Sequence, residues 1–262
     1  MSTAIVQTWY QTWYMTQRQL MVFARQPAYA VITLIQPVIW LFLFGSLFKN
    51  VVALGGFGTA SYLDYLVPGV VVMSALASNL WAGMGTLEEI QRGTLDRFLT
   101  TPASRAALMN GNVVHNGIVT ALQSAVIVLL GLVGGAEYPG GVVGVAVLVV
   151  ASVLLGTVFG ALSNALGMLV RERESIIGVN TFLLLPLTFL SSAFMAPDRM
   201  PGWIRQVARF NPLDWAMVAG RSALTADPDW GAVLLRGGAL LALATAAVWL
   251  SIRTFLSYQR SV

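Results

Sequence analysis

Six stretches of this sequence are long and apolar enough to cross a lipid bilayer as helices. A helix needs about 20 apolar residues to span roughly 30 Å of hydrocarbon. Hydrophobic residues make up 57% of the 262 residues and charged residues only 10%, against roughly 25% charged residues in a soluble domain. This composition excludes a water-soluble enzyme and a disordered chain, and it predicts an all-α membrane protein. The expected spans are 28–48, 65–87, 107–134, 141–170, 176–196 and 231–255.

The placement of arginines predicts the orientation of these spans, because cytoplasmic loops are rich in basic residues. Six spans put both termini on one side, and cytoplasmic termini place most of the arginines inside. The short loop near 135–140 has no basic residue and should lie outside. The stretch 197–230 disagrees, since it should also lie outside but carries Arg199, Arg205, Arg209 and Arg221. We give more weight to the short loops and expect cytoplasmic termini.

The segment 1–26 predicts a helix that lies in the cytoplasmic interface of the membrane. At 100° per residue, apolar side chains fall on one face and glutamines and arginines on the other. Aromatic residues suit the headgroup level of a bilayer. The alternative is an extension of the first span, but Pro27 favours a break between the two. The apolar face consists of Ile5, Trp9, Trp13, Leu20 and Phe23.

The residue inventory excludes several kinds of chemistry. The chain has no cysteine and a single histidine, His115, so thiolate sites and two-histidine metal motifs are ruled out. Its single lysine, Lys49, does not follow a glycine, and a phosphate-binding P-loop requires a Gly-Lys pair. We therefore expect no catalytic, cofactor or metal site in this chain. The net charge of +4 comes from scattered arginines, which fits membrane loops better than nucleic-acid binding.

The loop 88–104 predicts a short amphipathic helix on the cytoplasmic side. Gly93 interrupts the helix that leaves the membrane, Thr94 can cap a new one, and Pro102 closes it. Asp96 in the first turn suits the helix dipole. The new helix presents an apolar ridge made of Leu95, Phe98 and Leu99.

Two patches of the sequence resemble the type-2 ABC exporter permeases, which include the daunorubicin-resistance-type drug exporters. The first runs from Arg92-Gly93-Thr94-Leu95-Asp96 to Thr101-Pro102-Ala103-Ser104-Arg105. The second is Phe194-Met195-Ala196-Pro197-Asp198-Arg199-Met200-Pro201-Gly202-Trp203, followed by Asn211-Pro212-Leu213. The order of these patches on a six-span chain makes the resemblance fairly specific. It covers essentially the whole chain and implies one transmembrane domain, 1–262.

The resemblance implies a mechanical role for the loop helix. This helix would dock into a groove on a separate ATP-binding subunit, which would hold ATP and magnesium. The family works with two such subunits and with a second permease, either an identical copy or a paralogue. The localisation implied is a bacterial inner (plasma) membrane. The expected coupling residues are Arg92, Gly93, Thr94, Leu95, Asp96, Arg97, Phe98, Leu99 and Pro102.

The stretch 197–230 predicts two short apolar helices separated at Asn211-Pro212. Two half-helices dipping into the outer leaflet would satisfy their own backbones. The alternative is a cap that lies on the membrane surface. The resemblance implies re-entrant helices that form an outer gate, to which Trp203, Asn211, Pro212 and Trp215 would belong.

Neutral polar residues within the spans are the candidates for a solute path, although each could equally bond one helix to another. Gly156 and Gly160 form a GxxxG pair that permits close helix contact. The candidate path residues are Asn79, Gln123, Asn164 and Asn180, together with Trp81 as an apolar contact for a hydrophobic solute.

The leading hypothesis is the membrane subunit of an ATP-driven exporter for a hydrophobic or amphipathic solute, such as a drug, a lipid or a lipid-linked glycan. A secondary multidrug transporter normally needs an acid in mid-membrane, and none is evident. An intramembrane hydrolase using His115 and Ser124 would lack an orienting acid in the spans. A membrane scaffold without transport stays open.

Overall fold

The computed structural model describes residues 2–25, 27–48, 61–93 and 105–258, and within these ranges the regular structure is entirely helical. Helix α2 continues through a π-helical segment, Trp40–Phe44, and a last turn, Gly45–Leu47. The helices are α1 (Ser2–Ala24), α2 (Pro27–Ile39), α3 (Tyr62–Leu80), α4 (Ala82–Gln91), α5 (Arg105–Val133), α6 (Gly141–Val170), α7 (Arg173–Phe189), α8 (Gly202–Ala208), α9 (Pro212–Leu224) and α10 (Trp230–Tyr258).

Helix α6 is the centre of the bundle. It packs against α3, α4, α5, α9 and α10, and its buried residues run along its length from Gly144 to Met168. Small residues let the neighbours come close: a Cβ atom at Gly144 would overlap the Ala223 carbonyl of α9. This close packing fits a bundle whose helices associate through shape rather than through loss of water.

Within the part of the chain that the structure describes, four helical stretches have the length and apolar composition of a full membrane crossing. They are Tyr62–Gln91, Asn110–Val133, Gly141–Val170 and Trp230–Phe255. The first expected span falls on a shorter apolar helix, Val31–Leu47. The fifth falls on α7, whose 17 residues reach about 26 Å at 1.5 Å per residue.

Two expected spans differ from the structure in their internal form. The span expected at 65–87 is two helices, α3 and α4, which meet at Trp81. The span expected at 176–196 ends early, at Phe189. Residues 190–196 form a turn instead, in which the backbone and hydroxyl groups of Ser191 and Ser192 are bonded to neighbouring residues.

Helix α1 packs along α5, and Tyr10, Trp13 and Tyr14 are exposed on its surface. Thr12 and Thr16 are buried, and the Thr16 hydroxyl donates to the Gly111 carbonyl of α5 at 3.4 Å. Tyr10 and Trp13 are 64% and 56% exposed. Exposed aromatic side chains on one face suit the headgroup region. The face of α1 that packs against α5 therefore contains small hydroxyl residues, Thr12 and Thr16, in addition to the arginines and glutamines expected on its polar side.

We predict that Gly83→Ala lowers the thermal stability of the protein in detergent, whereas Gly85→Ala does not. A Cβ atom at Gly83 would overlap the Ser163 carbonyl of α6, while Gly85, on the same helix, has open space. Overpacking of this kind costs about 1–3 kcal/mol. Removing a glycine from a helix without a clash stabilises it by roughly 0.5–1 kcal/mol. Equal melting temperatures for the two variants would contradict the close α4–α6 contact.

Candidate functional site

A cavity of about 420 Å³ with a mainly apolar wall lies between the helices at the end of the bundle that carries α1 and α4. Its walls come from α1, α2, α3, α4, α5 and α6. Amide and hydroxyl side chains line one part of it, and aromatic and aliphatic side chains line the rest. The lining residues are Gln19, Phe23, Thr33, Leu34, Ser78, Asn79, Trp81, Ala82, Gly85, Thr86, Glu89, Asn112, His115, Asn116, Val119, Thr120, Leu122, Gln123, Val126 and Asn164.

Asn79 on α3 is held in a groove on α6. Its Nδ2 donates to the Ala75 carbonyl at 2.8 Å and to the Thr120 hydroxyl of α5 at 2.9 Å. Gly156 and Gly160, the GxxxG pair, form the groove, because a Cβ atom at Gly156 would lie 2.6 Å from Asn79 Nδ2. The pair therefore makes room for a polar side chain that joins three helices.

The break between α3 and α4 leaves backbone groups without helical partners, and two neighbouring helices bond them. The Gly83 N–H donates to Ser163 Oγ at 2.9 Å, and that hydroxyl donates in turn to the Leu80 carbonyl. Asn180 Nδ2 of α7 donates to the same Leu80 carbonyl at 2.6 Å. Trp81, at the break, is 40% exposed and lines the cavity.

Of the five candidate path residues, four line this cavity: Asn79, Trp81, Gln123 and Asn164. Asn164 Oδ1 accepts a hydrogen bond from the Thr86 hydroxyl at 2.9 Å. Gln123 Nε2 donates to the Thr33 carbonyl of α2 at 3.5 Å. Asn180 lies outside the lining, and its amide bonds the helix break instead.

Helices α1 and α4 also line the cavity, which was not predicted from the sequence. Gln19 Nε2 donates to Asn112 Oδ1 of α5, and Arg18 Nη2 lies 3.2 Å from Glu89 Oε1 of α4. A signal did exist on α5, where polar residues recur on one face of an apolar helix. These residues are Asn112, His115, Asn116, Thr120 and Gln123.

His115 is only partly satisfied. Its Nδ1 lies 3.2 Å from Asn116 Oδ1, and its ring meets Phe23 edge-on at 6.3 Å between centroids. Its Nε2 is buried without a hydrogen-bond partner among the residues that the structure describes. Over those same residues, no three His, Cys, Asp or Glu side chains are placed to hold a metal ion.

The expected coupling segment begins where α4 ends. Gly93 has a positive φ of 63°, which suits a helix terminus and favours glycine. Arg92 pairs with Glu88 at 3.3 Å, and both side chains are largely exposed, so this pair contributes only a few tenths of a kcal/mol. The other expected residues, Thr94, Leu95, Asp96, Arg97, Phe98, Leu99 and Pro102, lie outside the described residues.

The stretch 197–230 contains two short helices, α8 and α9, that meet at Asn211-Pro212. Asn211 caps α9 by accepting from the Leu213 N–H at 3.0 Å. Its Nδ2 donates to the carbonyls of Leu187 and Leu190 at the end of α7, at 2.7 and 2.9 Å. Pro212 takes the first helical position, where its missing N–H costs nothing.

The two tryptophans expected at an outer gate have different environments. Trp215 Nε1 donates to the Arg209 carbonyl at 2.7 Å, and Arg236 Nη1 donates to that carbonyl at 3.3 Å. These bonds satisfy the C-terminal end of α8. Trp203 is 62% exposed on the outer face of α8.

Arg221 of α9 joins three parts of the bundle through backbone carbonyls. Its Nη1 donates to the Ser192 carbonyl at 2.6 Å, and its Nη2 donates to the carbonyls of Tyr65 and Ala193, both at 3.1 Å. The guanidinium lies 3.6 Å from the centroid of the Tyr65 ring. Asp214 accepts from the Ser192 N–H and hydroxyl at 2.9 and 2.6 Å.

This environment explains one of the arginines that disagreed with the charge rule. Desolvation by burial lowers the pKa of Arg221, and the neighbouring Tyr65 and Asp214 oppose that effect. A guanidinium that donates to backbone carbonyls inside the bundle is an internal structural group rather than a free loop charge.

Comparison with known proteins identifies the family. The sequence pattern of the ABC-2 type transporter family matches residues 10–225. The chain belongs to this family.

Relatives of this ABC-2 protein carry transport names. It is 29% identical, over 92% of its length and 84% of the relative, to the daunorubicin resistance ABC transporter permease protein DrrB1 of Streptomyces coeruleorubidus. It is 29% identical, over 82% of its length and 74% of the relative, to the transport permease ycf38 of Porphyra purpurea. With the inner membrane transport permease YadH of Escherichia coli it shares 26% identity, over 72% of its length and 73% of the relative.

These findings confirm the family suggested by the two sequence patches. The ABC-2 protein is a multi-pass membrane protein and a transport permease subunit. Membership of the family implies, in general, an ATP-binding partner and a dimeric arrangement.

We predict that Arg221→Ala destabilises this permease by about 3 kcal/mol or more, because it leaves buried carbonyls without donors. Arg221→Lys should recover only part of the loss, since an ammonium cannot reproduce the fork of the guanidinium. Arg209→Ala is the matched control, because Trp215 and Arg236 bond only the carbonyl of that residue. Thermal unfolding in detergent measures all three, and an Arg221→Ala variant as stable as Arg209→Ala would refute the assignment.

Proposed function

We propose that this permease is the membrane subunit of an ATP-driven exporter of hydrophobic or amphipathic solutes. The observation that carries the proposal is the cavity, which combines amide side chains with apolar walls among helices of transmembrane length. A site with an apolar lining and a few placed polar groups suits an amphipathic molecule. The relative named for daunorubicin resistance supports a drug-like solute.

The cavity stands in direct mechanical connection with the expected coupling segment. Helix α4 contributes Gly85, Thr86 and Glu89 to the cavity wall. The same helix ends at Gln91 and leads through Arg92 and Gly93 into the expected coupling helix. A displacement of that segment would therefore move part of the cavity wall directly.

The power source in this proposal is a separate protein. Two copies of an ATP-binding subunit would hold ATP and magnesium and dock on the segment 88–104, with Leu95, Phe98 and Leu99 as buried anchors. A second permease, identical or paralogous, would complete the pathway. Alternating access would come from rigid-body movement of helices around the dimer interface. The permease itself would catalyse no reaction.

The proposed topology has six spans in a bacterial inner membrane, with both termini in the cytoplasm. Besides the four long helices, Val31–Leu47 and α7 would each cross the bilayer, and α1 would lie in the cytoplasmic interface. Local bilayer thinning accommodates helices shorter than the hydrocarbon layer. Helices α8 and α9 would dip into the outer leaflet and form the gate, with Trp203, Asn211, Pro212 and Trp215. The bonds from Asn211 and Arg221 to α3 and α7 support a helix pair held within the bundle.

The experiment that tests the function is to search the adjacent reading frames for a P-loop ATPase and to co-purify that protein with this permease. The complex, reconstituted in liposomes, should hydrolyse ATP faster in the presence of daunorubicin and should move it in an ATP-dependent way. If the purified permease alone drives uphill flux, the protein is a secondary transporter and the proposal is wrong.

Charge reversal in the coupling segment provides a second test. We expect the double variant Arg92→Glu/Arg97→Glu to fold normally and to uncouple ATP hydrolysis from transport, because it changes the polar rim of the docking surface. The matched control is Arg171→Glu/Arg173→Glu, at the connection between α6 and α7, where Arg173 is the first residue of α7. Normal transport by the Arg92→Glu/Arg97→Glu variant would show that this segment does not couple the two subunits.

A further inference from the structure

We propose that the cavity selects positively charged amphipathic solutes, and that Arg18 holds the position which the cationic group of the solute takes. This inference rests on the proposed function, because it assigns a ligand class to the same cavity. It adds a residue that determines specificity, Glu89, and a competing residue, Arg18. Neither was expected from the sequence.

The charge of the cavity wall favours a cationic solute. Among the described residues that line the cavity, Glu89 is the only acid, and none is a lysine or an arginine. Its Oε1 accepts from Arg18 Nη2 at 3.2 Å, while Oε2 has no hydrogen-bond partner within the described ranges. A negative group inside low-dielectric walls attracts cations and repels anions.

Two buried acceptors in the cavity wall also favour a solute that brings N–H donors. Asn116 Oδ1 is an acceptor, so a neutral His115 ring that donates to it carries its proton on Nδ1, which leaves Nε2 as an acceptor. Gln19 Oε1 is also an acceptor, and both atoms are buried without partners in the described part of the chain. Both residues line the same cavity as Glu89, so a rotation of either side chain toward the cavity would let its acceptor bond a protonated amine.

The remaining wall of the cavity is largely apolar. Trp81, Leu34, Leu122 and Val126 line the cavity with apolar surface, and a tryptophan face also attracts cations. The amide groups of Asn116 and Asn164 can bond carbonyl or hydroxyl oxygens in the body of a solute. The cavity therefore suits a molecule with an apolar body, some neutral polar atoms and one cationic end.

Binding of a cationic solute at Glu89 would also break a contact between two helices. The Arg18–Glu89 pair joins α1 to α4, and the two side chains are 42% and 30% exposed. A partly exposed ion pair contributes little net free energy, so a solute cation held by additional contacts can replace Arg18. The replacement would release α1 from the helix that leads into the coupling segment.

The test uses two probes of similar size and opposite charge, tetraphenylphosphonium and tetraphenylborate. Binding to the purified permease in phosphatidylcholine nanodiscs is measured by equilibrium dialysis, with empty nanodiscs subtracted. We expect Glu89→Gln to weaken tetraphenylphosphonium binding by roughly tenfold, because it removes the negative charge that attracts the cation within low-dielectric walls. Arg18→Gln should tighten it by several-fold, because it removes the competitor. Tetraphenylborate should bind no more tightly to the wild type than to Glu89→Gln.

The control is Glu88→Gln. Glu88 is adjacent in sequence and also pairs with an arginine, but its side chain is 51% exposed and outside the cavity lining. Its substitution should leave tetraphenylphosphonium binding unchanged. Monodisperse elution of each variant confirms folding.

The opposite signs expected for the two partners of one ion pair separate selection from a structural role. If Arg18→Gln and Glu89→Gln weaken tetraphenylphosphonium binding alike, the pair only stabilises the fold, and the inference is wrong. It is also wrong if the wild type binds neither probe above empty nanodiscs. ATP-dependent flux in the liposome complex without any charge preference would overturn this inference alone and leave the exporter function standing.

Discussion

The requirement that every buried backbone group find a partner shapes this protein at two places where its helices stop inside the bundle. Backbone N–H and C=O groups in an apolar setting cost several kcal/mol when they are left unbonded. At Trp81, Ser163 and Asn180 bond the interrupted α3–α4 backbone. Beyond Phe189, Asn211, Asp214 and Arg221 bond the turn that follows α7. These two sets of hydrogen bonds hold α4 and the α8–α9 pair in position, and α4 and the α8–α9 pair form the two ends of the proposed pathway.

Periodicity and helix-terminus chemistry in the sequence predicted much of the helical layout. The span expected at 141–170 coincides with α6, and the Asn211-Pro212 step separates α8 from α9 as the two residue types suggest. The break at Trp81 has no proline, and the glycine that follows it, Gly83, is also compatible with a helix. Its cause is the close approach of α6 and the hydroxyl of Ser163, which are far along the chain. Local sequence carries no information about such a contact.

The candidate site shows the same division. Four of the five expected path residues line one cavity. Three of them, Asn79, Gln123 and Asn164, are amides, which avoid lipid and collect inside a bundle. Asn180 has the same chemistry but bonds a helix break, and only the packing of α7 distinguishes it. Glu89 and Gln19 were not predicted as path residues, because Glu89 follows the second expected span and Gln19 precedes the first. The cavity reaches further toward that end of the bundle than the apolar pattern indicates.

The contact between α4 and α6 has a mechanical implication. At Gly83 and Gly167 the two backbones touch directly, since a Cβ atom at either glycine would overlap or crowd the other helix. Close-packed interiors have low compressibility and transmit strain. At these two glycines no side chain lies between the backbones. A displacement of α4 would therefore be transmitted directly to α6, the central helix, and from there to α3, α5, α9 and α10, which pack against it.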